Sequence, residues 1–257
     1  MITTTQNKQI KQIMKLKKSA RERKKQGLFL VEGIRMFTEI PKEYLSKTYA
    51  SEDFYKQHQE VFQGIDVELV SDQVMKEISD TMTPQGVLAL VKMLKYSLTD
   101  LLSQENPLFL VLENLQDPGN LGTILRTGEG AGITGLIMSR DTVDIYNPKV
   151  TRSTMGSIFR VPFVYVDDLF EVVEIMKEKQ ITTYAAHLNG TDYTREDYRS
   201  GSAFLIGNEG NGLTDDLTQK AQKKIKIPMC GKVESLNAAM ASGLLVYEAR
   251  RQRQGVE

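Results

Sequence analysis

The sequence is poor in the residues from which several kinds of site are built. It has one cysteine, Cys230, so an internal disulfide is impossible. It has two histidines, His58 and His187, and no histidine, cysteine and acidic residues share the spacing of metal ligands. These absences predict a protein of a reducing compartment that works without a bound metal.

Long apolar runs are also missing. No run approaches the roughly 18 residues that a membrane-spanning helix needs, and the N-terminus lacks the apolar core of a signal peptide. With 40% hydrophobic and 26% charged residues, the composition is ordinary for a globular protein. We therefore expect a cytoplasmic protein, and its 257 residues suffice for one large domain or two modest ones.

Charge is balanced over the whole chain but not along it. Lysine plus arginine and aspartate plus glutamate both number 33, yet residues 1–26 contain nine basic residues and one acid, Glu22. A basic segment indicates a polyanionic partner, and the alternative is a solvated helix face. The candidates for contacts with RNA phosphates are Lys11, Lys15, Lys18, Arg21, Arg23 and Lys24.

The hydrophobic pattern divides the chain into two parts, residues 1–100 and 101–257. In the first part, apolar strands are predicted at 28–31, 67–70 and 86–91, between helix-like stretches. In the second part, strands and helices alternate, which is typical of a parallel sheet covered on both faces. The predicted helices start near 120, 147, 168, 214 and 237, and the predicted strands are 108–112, 135–138, 161–166, 182–186, 203–206 and 225–228.

Three polar, glycine-containing stretches follow predicted strands of the second part. They are LENLQDPGNLGTILRTGEGAG at 112–132, LIGNEGNGLT at 205–214 and IPMCGKVESLN at 227–237. Ligands of open parallel sheets bind at the carboxyl ends of the strands. We therefore expect the three stretches to form one site at that edge.

The glycines of these stretches do not form a dinucleotide-binding motif. Gly119 and Gly122 lack the Gly-x-Gly spacing, and the one Gly-x-Gly-x-x-Gly, at 130–135, precedes a predicted strand when it should follow one. The pattern Gly-x-x-x-x-Gly-Lys-Ser/Thr is not met in the first stretch either. A dehydrogenase is therefore disfavoured.

Taken together, the three stretches resemble the motifs of the SpoU/TrmH family of RNA ribose methyltransferases, in the SPOUT superfamily. The first contains Asn, then Asp-Pro-x-Asn-x-Gly, then Arg. The second contains Gly-x-Glu-Gly, and the third Ile-Pro-Met followed by Ser-Leu-Asn. The order is that of the family. More loosely, residues 1–100 resemble the ribosomal-protein-L30e-like RNA-binding domain of many members, and Phe29–Met36 (FLVEGIRM) is similar to a stretch of related chains that we expect near the RNA without a defined role.

The resemblance implies an α/β fold in which residues 101–257 form a parallel-sheet domain with a C-terminal deep trefoil knot, and residues 1–100 an L30e-like substrate-binding domain. The knot of the family makes a pocket for S-adenosylmethionine in a bent conformation. The implied contacts are largely with backbone groups. The residues implied to contact the cofactor are Gly207, Ile227, Met229, Leu236, His187 and Leu188.

The resemblance also implies a set of catalytic residues, namely Arg126, Asn120, Glu209, Ser235 and Asn237. Arg126 would approach the ribose hydroxyl and a neighbouring phosphate. Because a guanidinium has a pKa above about 12, phosphate binding is the firmer expectation and a general-base role the alternative. Four of the five also have a structural interpretation. Asn120 or Ser235 could cap a helix, Glu209 could shape its loop and Arg126 could form a surface ion pair.

The predicted function is that of an S-adenosylmethionine-dependent RNA 2′-O-ribose methyltransferase that acts as a homodimer. Large-subunit (23S) ribosomal RNA is the preferred substrate, because the two-domain arrangement is commoner among family members acting on it. Transfer RNA is the alternative substrate. A non-catalytic RNA-binding protein of ribosome assembly is the alternative class, although such a descendant is expected to have lost one of the five catalytic residues, and none is missing.

Overall fold

The computed structural model describes residues 1–233 and 235–254. Its contacts divide the chain into two compact units. Unit 1 consists of Met1–Leu94 and Asp144–Phe159, and unit 2 of Lys95–Val143 and Arg160–Glu257. The inserted segment Asp144–Phe159 thus packs with unit 1, although it lies beyond the boundary predicted near residue 100.

The described residues alternate between helices and strands in both units. The α-helices are α1 (Lys8–Lys18), α2 (Ala20–Gln26), α3 (Ile34–Phe37), α4 (Glu52–Gln57), α5 (Asp72–Ile78), α6 (Leu98–Leu101), α7 (Pro118–Ala131), α8 (Pro148–Ser153), α9 (Leu169–Glu178), α10 (Asp215–Lys220) and α11 (Ala238–Gln254). The strands are β1 (Leu28–Glu32), β2 (Leu45–Ser51), β3 (Val67–Val70), β4 (Val87–Lys92), β5 (Leu108–Leu112), β6 (Gly135–Ser139), β7 (Phe163–Val166), β8 (Thr182–Asp192), β9 (Ser202–Ile206) and β10 (Lys223–Lys226).

Unit 1 is built on a four-stranded sheet of order β1-β4-β2-β3. Strands β2 and β3 are parallel, and β4 is antiparallel to both β1 and β2. The basic helix α1 turns Ile10, Ile13 and Leu16 into the core, because their spacing places them on one side of a helix. Its lysines are consequently left on the other side.

One internal strand of unit 1 escaped prediction. The sequence of β2, LSKTYAS, is half polar and lacks the apolar run that marks its neighbours. In the structure β2 pairs with β4 on one side and β3 on the other, and Tyr49 and Ala50 are buried. β2 is therefore a strand because it pairs with a neighbour on each edge, although its own sequence pattern does not predict one. The three strands that were predicted here are confirmed by β1, β3 and β4.

The segment Asp144–Phe159 completes unit 1 beside β1. That strand pairs only with β4, so its other edge needs protection, and α8 packs against it. The rings of Phe29 and Tyr146 lie 4.7 Å apart, and the Tyr146 hydroxyl donates to the carbonyl of Leu94 at 3.0 Å. This part of the chain therefore packs against the outermost strand of the unit 1 sheet.

Unit 2 contains six parallel strands in the order β10-β8-β9-β5-β6-β7. Its core joins Phe109, Val111, Ile137 and Leu205 of the sheet to side chains of the covering helices. The predicted strands and helix starts of this part are confirmed within about two residues, apart from the length of β8. The α/β prediction with a parallel sheet is therefore confirmed.

Strand β8 is longer than predicted because it pairs with β10 in two pieces. Lys224 lies opposite Ala185, but the next residue, Ile225, lies opposite Thr191. Residues 186–190 leave the ladder between these pairs. A Cβ on Gly190 would lie 2.4 Å from the backbone carbon of Ile225, so only glycine permits this approach.

No helix of residues 1–233 and 235–254 is long and apolar enough to cross a membrane. Within the same residues, no three His, Cys, Asp or Glu side chains come together as possible ligands of a metal ion.

Candidate active site

The structure brings the three predicted stretches to one edge of the sheet of unit 2. Strands β5, β9, β8 and β10 are neighbours and parallel, so their carboxyl ends lie side by side. The first stretch follows β5, the second follows β9 and the third follows β10. The excursion at 186–190 leaves the ladder beside them. This edge is where a ligand of such a sheet is expected.

Glu209 ties the second stretch to the first. Its carboxylate accepts hydrogen bonds from the backbone amides of Gln116 at 3.1 Å and Asp117 at 3.0 Å, and from Nδ2 of Asn120 at 2.9 Å. Partial burial by itself would raise the pKa of Glu209, but these hydrogen bonds outweigh burial and lower it. The loop-shaping interpretation of Glu209 is therefore observed, whatever else the residue does.

Asn120 connects Glu209 to the third stretch. A carboxylate only accepts hydrogen bonds, so Asn120 must turn its NH2 group toward Glu209, which leaves its Oδ1 free to accept. Nδ2 of Asn237 donates to this oxygen at 2.9 Å. The side chains of Glu209, Asn120 and Asn237 thus form one hydrogen-bonded chain across all three stretches.

The two capping interpretations are wrong. Helix α7 is capped by Asp117, whose Oδ1 accepts from the backbone amide of Asn120 at 2.8 Å. The first turn of α11 is capped by Asn237, whose Oδ1 accepts from the amides of Ala239 at 2.9 Å and Met240 at 3.3 Å. The side chains of Asn120 and Ser235 are therefore not committed to helix ends.

Arg126 and Ser235 differ from the other three predicted catalytic residues. Both are exposed, and neither forms a hydrogen bond or ion pair with any residue of the described part of the chain. The ion-pair interpretation of Arg126 is not observed there. Arg126 lies about 9 Å further along α7 than Asn120. The structure therefore links Glu209, Asn120 and Asn237 directly, and leaves Arg126 and Ser235 available to an external group.

Sequence reasoning gave no role to Glu113, which the structure places at the centre of the site's framework. Its side chain follows β5 and is only 7% exposed. One carboxylate oxygen accepts from the amide of Thr214 and the other from its hydroxyl, both at 2.7 Å. The signal available in the sequence was an acid directly after five apolar residues, where side chains are normally buried.

Asn208 adds a third connection between the first and second stretches. Its Nδ2 donates to the carbonyl of Asn114 at 2.9 Å, and Asn114 holds a left-handed backbone conformation with φ of 55°. Oδ1 of Asn208 accepts from the amide of Gly210 at 2.8 Å. Asn208 therefore both closes its own loop and fastens that loop to the end of β5.

The residues expected at the cofactor lie after β9, after β10 and in the part of β8 that leaves the ladder. At Gly207, a Cβ would lie 2.0 Å from the backbone of Gly212 and Leu213, so the loop can fold back on itself only with glycine there. Ile227, Met229 and Leu236 are partly exposed apolar residues, and Leu188 is 63% exposed. Nδ1 of His187, in the part of β8 that leaves the ladder, accepts the backbone amide of Asn189 at 3.2 Å.

Of the six basic residues predicted to contact RNA phosphates, five are exposed and one, Arg23, is buried. Arg23 is 3% exposed, its Nη2 lies 2.6 Å from Oδ2 of Asp144, and its Nη1 donates to the carbonyl of Leu16 at 2.7 Å. This corrects the expectation that Arg23 binds RNA, because its guanidinium is used up inside the unit. The exposed residues of the set are Lys11, Lys15, Lys18, Arg21 and Lys24.

Comparison with family models divides the chain in a similar way. Residues 107–247 match the SpoU rRNA Methylase family. Residues 7–89 match the MRM3-like substrate binding domain.

Individual relatives match over nearly their whole length. The 23S rRNA (guanosine(2553)-2′-O)-methyltransferase RlmP of Bacillus subtilis is 31% identical over 97% of this chain and 98% of its own. The crystal structure of the SpoU methyltransferase AviRb from Streptomyces viridochromogenes with AdoMet superposes with a TM-score of 0.89 at 28% identity, covering 98% of this chain and 100% of that one. The AdoMet-bound rRNA methyltransferase from Sinorhizobium meliloti gives 0.84 at 30% identity, covering 97% of each chain.

The family match and the AdoMet-bound neighbours therefore show an RNA methyltransferase that uses S-adenosylmethionine, built on a parallel sheet. This chain belongs to the SpoU rRNA methylase family. The resemblance to the SpoU/TrmH family is confirmed.

Proposed function

We propose that this protein transfers the methyl group of S-adenosylmethionine to a ribose 2′-hydroxyl of ribosomal RNA. The observation that carries the proposal is the hydrogen-bonded chain of Glu209, Asn120 and Asn237 at the sheet edge of a SpoU-family protein. The relative named as a 23S rRNA methyltransferase, RlmP, matches both units, which favours large-subunit RNA over transfer RNA.

The loops that follow β9 and β10 fit S-adenosylmethionine. An adenine ring needs apolar surface and backbone hydrogen-bonding groups, and Ile227, Met229 and Leu236 offer partly exposed apolar atoms on loops rather than on helices or strands. The tight loop at Gly207 brings backbone to the same edge. When bound, S-adenosylmethionine supplies a methyl group that its sulfonium charge activates for transfer.

The hydrogen bonds of the site separate positioning groups from groups that meet the RNA. Glu209 already accepts three hydrogen bonds and its pKa is lowered, so it is poorly suited to take a proton. It holds Asn120, and both ends of the Asn120 amide are occupied. Arg126 and Ser235 retain unpaired polar groups among the described residues. We therefore assign Arg126 to a phosphate next to the reacting ribose and Ser235 to the hydroxyl.

Unit 1 supplies the longer-range contacts with RNA. Exposed cations on α1 and α2 would bind phosphates without reading sequence. The family match of residues 7–89 to a substrate-binding domain supports this division of labour. An L30e-like character of unit 1, and a cytoplasmic location of the protein, stay predictions.

The trefoil knot and the homodimer are also part of the proposal. The close approach of Gly190 to the backbone of Ile225, in a chain that superposes on SpoU methyltransferases, supports a threaded C-terminal part. For the dimer, α11 carries an apolar face in which Met240 is 60%, Leu244 38% and Tyr247 49% exposed. Their spacing of four and three residues places them on one side of the helix.

The test of the function is ribose-methylation mapping of total RNA from cells with and without the protein. Loss of a single 2′-O-methyl mark in 23S rRNA, restored by wild-type protein but not by Arg126→Ala, is the expected result. A mark lost from transfer RNA would change the substrate and keep the reaction. No lost mark in either RNA, with the protein well expressed, would favour the non-catalytic alternative.

A further inference from the structure

The stretch Phe29–Met36 has a structural role that its sequence did not reveal. Its acid, Glu32, is the last residue of β1 and holds the loop that follows α5. The Glu32 carboxylate accepts from the hydroxyl of Ser79, from the amide of Asp80 at 2.8 Å and from the hydroxyl of Thr81 at 2.5 Å. All three donors are neutral groups of the same loop.

The other end of this loop is held by the next residues of the same stretch. The amide of Ile34 donates to Oε1 of Gln85 at 3.0 Å. Gly33 has φ of 89°, and a Cβ there would lie 2.7 Å from the same oxygen. The positive φ favours glycine here, and a Cβ would push the Gln85 side chain away from the backbone. Residues 32–34 thus hold both ends of the segment from Ser79 to Gln85, which we name the 79–85 loop.

The tip of the 79–85 loop exposes a large apolar side chain. Met82 is 94% exposed, the highest value among the exposed large apolar side chains of the described residues. Its neighbours at the tip, Thr81, Thr83 and Pro84, carry no charge. A single exposed apolar residue is ordinary on a protein surface, but this one is presented by a loop whose two ends are hydrogen-bonded to a strand end.

Charges of both signs lie at the base of the loop, where the Glu32 carboxylate is joined by Lys17, Asp80 and Arg152. Nζ of Lys17 donates to the carbonyls of Ser79 and Glu77, which connects the loop to the end of α1. The one acid in the loop, Asp80, is paired with Arg152 at 3.1 Å. The exposed cations of α1 and α2 that follow Lys17 in sequence, Lys18 and Arg21, have no partner among the described residues.

We propose that the 79–85 loop is a second RNA-contacting element of unit 1, in which Met82 packs against the face of an unpaired base. The inference rests on the proposed function of the protein as an RNA methyltransferase. The loop lies within residues 7–89, which match a substrate binding domain. An uncharged tip with an exposed apolar side chain suits RNA whose bases are splayed from the strand, since protein side chains recognise single-stranded RNA by contact with base faces. A thioether adapts to such faces, and a loop already held in place loses little entropy on binding.

The test is the affinity of the full-length protein for a 23S rRNA transcript, measured at several salt concentrations. Met82→Ala should weaken binding about fivefold or more, as removal of a base-stacking contact does, while the slope of log affinity against log salt stays that of wild type, because no phosphate contact is lost. Met82→Leu, which keeps the apolar contact, should bind nearly as wild type does. Phe170→Ala, at an exposed apolar residue of unit 2, is the matched control.

Glu32→Gln tests the hold on the loop. It should weaken RNA binding to a similar extent, and combining it with Met82→Ala should add little, because both changes act on the same contact. Thermal unfolding distinguishes a lost RNA contact from a general loss of structure. Met82→Ala, at an exposed tip, should weaken RNA binding and leave the melting temperature unchanged.

Two failures are distinguishable. If wild type neither binds the transcript nor methylates RNA, the proposed function fails. If wild type binds and Met82→Ala binds equally well, the inference about the loop is overturned. Unchanged RNA affinity together with lost binding to assembling ribosomal subunits would overturn it too, since the loop would then contact protein.

Discussion

At the scale of single residues, two carboxylates fasten the site in opposite directions. Glu113 reaches from the end of β5 to Thr214, the last residue of the second stretch, and Glu209 reaches from the second stretch back to Gln116 and Asp117 of the first. Neither carboxylate is paired with a cation in the described residues. Because such groups gain their stability from the hydrogen bonds alone, changing either partner should be felt at both loops.

The hydrogen bonds between Glu113 and Thr214 can be tested by changing either residue. Glu113→Gln should destabilise the protein by about 1–3 kcal/mol and lower the rate of methyl transfer, because an amide NH2 would face one of the two donors of Thr214. Denaturant unfolding and single-turnover methylation measure the two effects. Thr214→Ser keeps both donors and is the control. Glu113→Gln and Thr214→Ala should not be additive; additive losses would mean that the two residues act separately.

The unpaired guanidinium gives a different prediction. Arg126→Ala should abolish methyl transfer and leave the affinity for S-adenosylmethionine nearly intact, because Arg126 is exposed and is bonded to no described residue. Calorimetric titration with the cofactor and a methylation assay check the two halves. Arg195→Ala, at another exposed arginine of unit 2, should behave as wild type. Normal turnover of Arg126→Ala would contradict its assignment.

At the scale of elements, the N-terminal helices separate RNA binding from folding. Lys11, Lys15 and Lys18 lie on the exposed side of α1, whereas Arg23 of α2 is buried against Asp144. Both kinds of residue are basic and close in sequence. Replacing the exposed lysines should therefore change RNA binding, whereas replacing the buried arginine should change the stability of the fold.

Replacing Lys11, Lys15 and Lys18 with alanine should weaken RNA binding and flatten its salt dependence, because fewer counterions are released. Filter binding at several salt concentrations measures both. Arg23→Ala should instead destabilise the protein by about 3–5 kcal/mol, because it leaves the acid of a largely buried pair without its partner. If the triple variant keeps the wild-type slope, the lysines form only a solvated face.

The end of α11 fastens another part of unit 2. The guanidinium of Arg253 donates to four backbone carbonyls, at distances from 2.7 to 3.1 Å, and burial lowers its pKa. The acceptors belong to Tyr198, Asn106, Pro107 and Ser200. One planar group thereby satisfies carbonyls from two separate stretches of chain.

Arg253→Lys should destabilise the protein nearly as much as Arg253→Ala, because a single ammonium cannot reach all four carbonyls. Urea unfolding measures the difference. The control is Arg251→Ala on the same helix, where an exposed arginine pairs with Glu248 only three residues away and contributes little. Equal stability of Arg253→Lys and wild type would show that the fork geometry is unimportant.

At the scale of the whole molecule, the apolar face of α11 predicts self-association. Met240→Glu should turn a dimer into monomers, because it places a charge on a face that association would bury. Sedimentation velocity distinguishes dimer from monomer. Gln254→Glu is the control for an added acid, because this exposed residue at the end of the same helix accepts a hydrogen bond from Arg250 and glutamate keeps the acceptor. A wild-type protein that sediments as a monomer would remove the dimer from the proposal.

The predictable part of this protein is the part written locally in the chain. Apolar runs such as Leu108–Leu112 predict strands because five buried residues in sequence have few other solutions. Strand β2 was missed because its pairing partners, and not its own residues, bury it. The five catalytic candidates could be named by resemblance. The sequence could not predict that three of them bond to one another while Arg126 and Ser235 bond to no described residue.

The sequence by itself determined the alternating α/β arrangement, the three loops at one sheet edge and the family, because all of these depend on patterns that lie within short segments. Only the tertiary structure decided that Arg23 is buried, that Asp144–Phe159 belongs to unit 1 and that Glu209 accepts the amide of Gln116, 93 positions away. Such contacts depend on where distant backbone segments come to lie, and a carboxylate carries no local mark of which amides it will meet.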